Sequence, residues 1–356
     1  MTSVERWLEV HRLSVAGGEP TIARDLARRL SPTWLQRSRF TDVVALACST
    51  LTLGPDAAAL HHLGRAQTAI GLHRQSLVSY EQALVLCRSA GDESNEAVIL
   101  NELGVAHNRL GDSQLALEFL EQALPLARET GNRIGEAAAL NNIGSVHKRL
   151  GDPRRALGYY EQVVPIVREI GDQGGEAAAL NNIGGVYDEL GDPRRALGYF
   201  EQVVPIVRDS GNRAGEAIAL NNIGLVYSAL GDQLRALEYC EQALRIQSEV
   251  GDRAGEATTL SNIGLAYSDL GDRRRAVGHL ARAVSIRQEM GDRIGEAITR
   301  FNKAMVHRAA GDLDQAVREL ESAVELDRQI DYRDLDAHIA ALEHVRQELA
   351  RARAAS

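Results

Sequence analysis

Two columns of asparagine recur every 40 residues and are the strongest candidates in this sequence for binding chemistry. The first column comprises Asn101, Asn141, Asn181 and Asn221, and the second comprises Asn142, Asn182, Asn222, Asn262 and Asn302. An amide side chain carries donors and an acceptor, so a column of amides can hold an extended peptide without selecting particular side chains. The same amides could instead bond neighbouring helices to one another. Asparagine is a mediocre helix former, and its repetition fits either purpose.

Residues typical of enzymes show no comparable pattern. The sequence contains no GxxxxGKS or GxxxxGKT phosphate loop, no HExxH motif and no clustered cysteines. His107, His147 and His307 occupy a position that holds tyrosine in other repeats, which predicts packed histidines rather than catalytic ones. Adjacent His61 and His62 point in different directions on a helix and make a poor joint metal site. We therefore predict no enzymatic activity and no cofactor or metal.

Composition narrows the class of protein further. The chain has 356 residues, of which 44% are apolar and only 4% aromatic, which favours closely stacked helices packed through alanine and leucine. A net charge of −9 argues against a general affinity for nucleic acid. The sequence shows no export signal and no stretch of membrane-spanning length. We expect a soluble cytoplasmic protein.

The asparagines belong to a tandem repeat of helical hairpins. The segments 135–168 and 175–208 differ at only five of 34 positions, namely 145, 147, 148, 149 and 160. Each repeat has an opening helix and a second helix, and in six of the seven repeats a Gly-Asp turn joins them, as at Gly151-Asp152-Pro153. Glycine past a helix end can adopt the left-handed conformation, the aspartate can cap the next helix, and proline suits its first position. One hairpin cannot bury both of its faces, so neighbouring repeats must stack.

The repeat pattern sets the predicted organisation of the chain. Residues 1–54 form an N-terminal helical cap with a degenerate repeat, residues 55–330 form seven tandem repeats, and residues 331–356 form a C-terminal capping helix. An alternative for this last helix is an autoinhibitory plug or a docking element. The pairs Gly17-Gly18 and Ser31-Pro32 are expected to interrupt helices in the N-terminal cap. Pro125, Pro165 and Pro205 lie inside second helices, and we expect a kink or an early helix end at each.

The pattern resembles the tetratricopeptide (TPR) repeat, and the residues that carry the resemblance are Leu140, Ile143, Gly144, His147, Ala156 and Tyr160. The 40-residue period exceeds the usual 34 and is similar to kinesin-light-chain and Pins/LGN-type repeats. It also resembles the TPR tails of bacterial STAND regulators that carry NB-ARC ATPase modules. This resemblance implies an all-α, right-handed superhelical solenoid of tandem hairpins with helical caps.

The resemblance also implies that the opening helices line a concave groove, in which the second asparagine column touches the ligand backbone. Residues 145, 148 and 149 would face the same groove. Lys148 and Arg149, extended by Arg109, would make an early section of the groove basic, whereas Asp188 and Glu189 would make the middle acidic. Such a groove would suit a partner segment of mixed charge. The alternative is a solvated helix face on which charges have drifted.

These observations favour a non-enzymatic scaffold or adaptor that binds a peptide or helical segment of another protein. The first alternative is the sensor part of a STAND-like bacterial signalling regulator. A second is a structural solenoid that self-associates through the ends of its array. We expect a protein or peptide partner and neither nucleic acid nor a membrane.

Overall fold

The computed structural model describes residues 3–330, 332 and 334–355. Within these residues there are eighteen α-helices and no β-strand. The N-terminal helices are α1 (Ser3–Ala16), α2 (Pro20–Gln36) and α3 (Phe40–Leu51). The opening helices of the repeats are α4 (Ala57–Ala69), α6 (Glu93–Leu110), α8 (Arg133–Arg149), α10 (Gln173–Glu189), α12 (Arg213–Ala229), α14 (Arg253–Asp269) and α16 (Arg293–Ala309). The second helices are α5 (His73–Ala90), α7 (Ser113–Glu129), α9 (Pro153–Glu169), α11 (Pro193–Asp209), α13 (Gln233–Val250), α15 (Arg273–Met290) and α17 (Leu313–Ile330). The last helix is α18 (Leu335–Ala355).

The Gly-Asp turns have the predicted conformation, except that the Asp112 side chain makes no capping hydrogen bond to α7. Gly151 has a φ of 76°, in the left-handed region that favours glycine. The backbone N–H of Arg155 donates to Oδ1 of Asp152 at 3.1 Å, so the aspartate caps α9. Pro153 is the first residue of that helix. These turns confirm that each repeat is a helical hairpin.

Two compact units divide the chain at a boundary inside α10, and the first comprises residues 1–179. In this unit the hairpins α4–α5, α6–α7 and α8–α9 pack in sequence, and opening helix α6 also contacts α8. A representative part of the core contains Leu140, Val163, Val167 and Ala179. Alanine at such positions lets neighbouring helices approach closely.

The second unit comprises residues 180–356 and contains the hairpins α12–α13, α14–α15 and α16–α17. Its core includes Phe200, Ile223 and Val226. Helix α18 packs against α16 and α17 through an apolar cluster that includes Leu342 and Val345. Residue 331, where the capping helix was predicted to begin, lies outside the described residues.

In the hairpin of α8 and α9, a glycine packs directly against an aromatic ring. A Cβ atom added to Gly144 of α8 would lie 2.8 Å from Cε1 of Tyr160 in α9, which is closer than side chains tolerate. Next to this contact, the rings of His147 and Tyr159 stack with centroids 5.4 Å apart. The two helices of the hairpin are therefore held by close packing along their length.

Prolines do not end the helices that contain them. Helices α7, α9 and α11 each continue for four residues beyond Pro125, Pro165 and Pro205. Of the two outcomes predicted for these prolines, the early end is wrong and the kink stays a prediction. Helix α2 likewise continues through Pro32, so the predicted interruption there is also wrong. The three prolines of the repeats are exposed, and water can bond the carbonyl group that a proline leaves without its helical donor.

Candidate functional site

The asparagines lie on opening helices at the margin between buried and exposed positions. In α8, Ile143 and Gly144 are buried, whereas the Asn141 and Asn142 side chains are half-buried. The same placement recurs at Asn181, Asn182, Asn222, Asn262 and Asn302. Each amide is therefore close enough to the surface for a ligand to reach and close enough to the core to be held in place.

Hydrogen bonds link the two columns between successive repeats. In the first unit, Nδ2 of Asn142 donates to Oδ1 of Asn101 at 2.9 Å. In the second unit, Asn222 donates to Asn181 at 2.8 Å and Asn262 donates to Asn221 at 3.0 Å. We call each such bond a rung. The rungs show that these asparagines join neighbouring opening helices, which was one of the two purposes considered from the sequence. Contact of the asparagines with a ligand stays a prediction.

A rung consumes only part of the hydrogen-bonding capacity of the second-column amide. An asparagine has two N–H donors and an acceptor oxygen, and the rung uses a single N–H of Asn142, Asn222 or Asn262. The first column differs, because Oδ1 of Asn221 accepts from Asn262 and also from Oγ1 of Thr259 at 3.0 Å, and Asn221 is only 8% exposed. Second-column amides are therefore better placed to bond a ligand than Asn221.

The final asparagine of the second column lies outside this pattern. The residue 41 positions before Asn302 is Ser261, which replaces the first-column asparagine. Oγ of Ser261 donates to the backbone carbonyl of Ala257 at 3.0 Å instead. In the part of the chain that the structure describes, no hydrogen bond joins Ser261 to Asn302.

A charged rung precedes the asparagines and was missed in the sequence. Glu102 occupies the second-column position of its repeat, and His61 occupies the first-column position of the repeat before it. Oε1 of Glu102 lies 4.0 Å from Nε2 of His61 and 3.8 Å from Nε of Arg65. The hydroxyl of Tyr80 donates to Oε2 of Glu102 at 3.4 Å. Only the 40-residue spacing could have identified this rung, because neither Glu102 nor His61 is an asparagine.

Burial and charge oppose each other at this first rung. Burial raises the pKa of Glu102, but the neighbouring His61, Arg65 and Tyr80 outweigh it and bring that pKa below its usual range. Burial raises the pKa of the Tyr80 hydroxyl, and the charge of Glu102 raises it further. Glu102 is therefore a carboxylate at neutral pH, and the Arg65 cation lies beside it.

The predicted charged groove residues lie at the ends of opening helices. In the first unit, Arg109 is near the end of α6 and Lys148 and Arg149 end α8, and all three side chains are exposed. In the second unit, Asp188 and Glu189 end α10 and are also exposed. These named residues are basic in the first unit and acidic in the second, and their contact with a ligand stays a prediction.

Two histidines at the repeat position shared with tyrosine are packing residues in the first unit. His107 and His147 are buried and stack on Phe119 and Tyr159, with ring centroids 5.3 and 5.4 Å apart, which confirms the prediction for both. Within the described residues, no three histidine, cysteine, aspartate or glutamate side chains are grouped so that they could hold a metal ion. Nor does any described helix combine the length and apolar character that crossing a membrane requires.

Comparison with known proteins identifies one family. A family model described as tetratricopeptide repeat matches residues 55–129, 135–209 and 215–289, and a second model with that description matches residues 297–330. No curated protein has a significant match.

Solved structures share the fold. BtubC (BKLC) from P. vanneervenii is 25% identical, with a TM-score of 0.52 over 70% of this chain and 93% of that one. A STAND protein with a tetratricopeptide repeat sensor from Pyrococcus horikoshii is 17% identical, with a TM-score of 0.67 over 90% of this chain and 49% of that one. A Rap protein complexed with Competence and Sporulation Factor is 15% identical, with a TM-score of 0.61 over 92% of this chain and 98% of that one. At their levels of identity, the last two similarities show the fold alone.

Proposed function

Because the chain belongs to the tetratricopeptide repeat family, we propose that it is a non-enzymatic scaffold that binds a segment of another protein. The binding surface is the exposed face of the opening helices within each unit. The observation that carries this proposal is the geometry of Asn142, Asn222 and Asn262, whose amides are each held by a rung that uses one N–H and leaves the other N–H and the oxygen for a ligand backbone. Fold alone would not assign a function, so the proposal rests on these side chains.

The two columns have different roles in this proposal. Asn142, Asn182, Asn222, Asn262 and Asn302 contact the partner. Asn141, Asn181 and Asn221 orient the contacting amides through the rungs or supplement them. Arg109, Lys148 and Arg149 attract acidic groups of the partner to the first unit, and Asp188 and Glu189 attract basic groups to the second. Cytoplasmic location and a bacterial source stay predictions.

The experiment breaks one rung from each side. Asn142→Ala and Asn101→Ala both remove the same 2.9 Å hydrogen bond, but only Asn142 is a proposed ligand contact. Each variant and the unaltered protein would be used to capture partners from a cell lysate, with bound proteins identified by mass spectrometry. Circular dichroism would check that both variants keep the helical content of the unaltered protein.

We expect the captured partner to be lost with Asn142→Ala and retained with Asn101→Ala. Loss with both would assign the asparagines to positioning alone, and retention with both would refute contact by this column. A natural parent protein with an ATPase module would favour the alternative of a STAND-like sensor. An apparent molar mass from light scattering that increases with protein concentration would favour self-association.

A further inference from the structure

An aliphatic stripe follows the asparagines on the opening helices of the second unit. On α12, Ile218 is 50% exposed and Leu225 is 39% exposed, although both are large apolar side chains. On α16, Ile298 is 39% exposed. Leu265 on α14 and Met305 on α16 are half-buried. Solvent exposure of several aliphatic side chains on one surface indicates a site of interaction.

Helix geometry places these side chains beside the second column. Residues separated by three, four or seven positions share a helix face, and Ile218, Asn222 and Leu225 have this spacing. The corresponding face of α14 carries Asn262 and Leu265. Asn262 bonds Asn221 of α12, so the faces of these two helices are adjacent.

The stripe continues from α14 to α16. Oγ of Ser261 in α14 lies 3.5 Å from Oγ1 of Thr299 in α16, which places these helices side by side. Three adjacent helix axes at a spacing of about 9 Å cover about 18 Å, which about six residues of an extended chain can cross. The stripe is therefore long enough to contact a short linear segment.

The charges that accompany the stripe are negative. Asp269 is an exposed carboxylate one turn beyond Leu265, at the C-terminal end of α14, and Gln233 donates to it at 3.0 Å without neutralising it. The negative end of the helix dipole lies at the same place, so a cation is favoured there.

Basic groups of α16 are already paired. Arg300 and Lys303 each lie 2.8 Å from a carboxylate oxygen of Glu319, and Arg300 also bonds Glu296. Arg308 forms two bonds to Glu348, at 2.8 and 2.6 Å. These cations are engaged within the fold, which leaves the surface around the stripe with a preference for positive ligands.

We propose that the stripe binds an extended segment of a partner protein that carries aliphatic side chains next to lysine or arginine. The aliphatic side chains of the segment cover Ile218, Leu225 and Ile298, its backbone bonds the second-column amides, and its basic groups face Asp269. This inference rests on the proposed function, because it names the chemistry of the partner at the second unit.

The test uses a display library of random linear peptides of about 12 residues, selected on the full-length protein. Enriched peptides would be synthesised with a fluorescent label, and their dissociation constants measured by polarisation for the unaltered protein and the variants Leu225→Glu, Leu234→Glu and Asn142→Ala. Leu225→Glu places a charge on the stripe. Leu234→Glu is the matched control, because Leu234 is 71% exposed and lies on the second helix α13.

We expect enrichment of peptides that combine aliphatic and basic residues, with affinity reduced about tenfold or more by Leu225→Glu and unchanged by Leu234→Glu. Enriched peptides of other composition that tolerate Leu225→Glu but lose binding with Asn142→Ala would overturn this inference and preserve the proposed function. If no peptide is enriched relative to a control surface that lacks the protein, both this inference and the proposed function are overturned.

Discussion

The same substitution should have opposite effects at two glycines of one hairpin. Gly144 lies in α8 where its missing side chain admits the Tyr160 ring, and an added Cβ would approach that ring to 2.8 Å. Tyr160 is only 2% exposed, so its ring has little room to move away. Gly158 lies in α9, and a Cβ there would meet nothing within 4 Å.

The expected changes in stability combine helix propensity, which acts at both glycines, with overpacking, which acts only at Gly144. Replacing glycine by alanine inside a helix favours folding by about 1 kcal/mol at either site. At Gly144 alone, the added methyl group overpacks a filled contact, which costs about 1–3 kcal/mol. Gly158→Ala should therefore stabilise the protein by about 0.5–1 kcal/mol, and Gly144→Ala should destabilise it by about 1 kcal/mol.

Urea unfolding followed by circular dichroism would measure both effects on the full chain. Repeat proteins can unfold in more than one step, so the transition that moves should be compared between variants, rather than one free energy for the whole chain. Equal shifts in the same direction would refute the reasoning, because the close contact would then contribute nothing to the choice of glycine at position 144.

Two further predictions concern buried carboxylates. Glu136 accepts hydrogen bonds from two half-exposed arginines, whereas Glu176 accepts one from a single arginine. Glu136→Gln should therefore lower the free energy of unfolding by about 2 kcal/mol and Glu176→Gln by about 1 kcal/mol, measured by thermal or urea unfolding. Equal losses of stability in the two variants would contradict this prediction. Burial raises the pKa of Glu136, but its arginines outweigh burial and hold the pKa below its usual range. Its contribution is therefore complete above the ordinary carboxyl pKa and is lost as pH falls through the lower folded value; Glu136→Gln should reduce this acid sensitivity. In the second unit, Asp327 is fully buried 2.6 Å from His338, so Asp327→Ala should cost about 3 kcal/mol and release α18, which faster tryptic cleavage after Arg346 would show. Unchanged cleavage would mean that the pair does not hold this helix.

Local signals made the hairpins predictable. The sequence Gly151-Asp152-Pro153 specifies a left-handed residue, a cap and a helix start within three consecutive positions, and the structure has all three. The prolines were harder, because the effect of Pro165 depends on whether its face of α9 meets water. That exposure is set by the stacking of repeats rather than by the neighbouring residues in the sequence.

The site was predictable in position but not in its hydrogen bonding. The spacing identified Asn142 as one of a column, yet its bond to Asn101 depends on how two opening helices pack side by side. Glu102 was missed because it shares the position of the column but not its residue type. Ile218 and Leu225 were missed because apolar residues on a helix ordinarily indicate the core, and their exposure depends on how the repeats stack.

The distribution of differences between the two near-identical segments has an evolutionary consequence. Three of the five differences, at Ser145, Lys148 and Arg149, lie at half-buried or exposed positions. The two at buried positions, His147 and Tyr160, replace one ring by another, and Leu140 and Ile143 are buried and unchanged. A duplicated gene segment therefore supplies a hairpin whose interior already fits its neighbours. Later mutations at a few outward positions can then reverse the charge that the new copy presents. Selection for new specificity can act on such a chain without passing through intermediates that fail to fold.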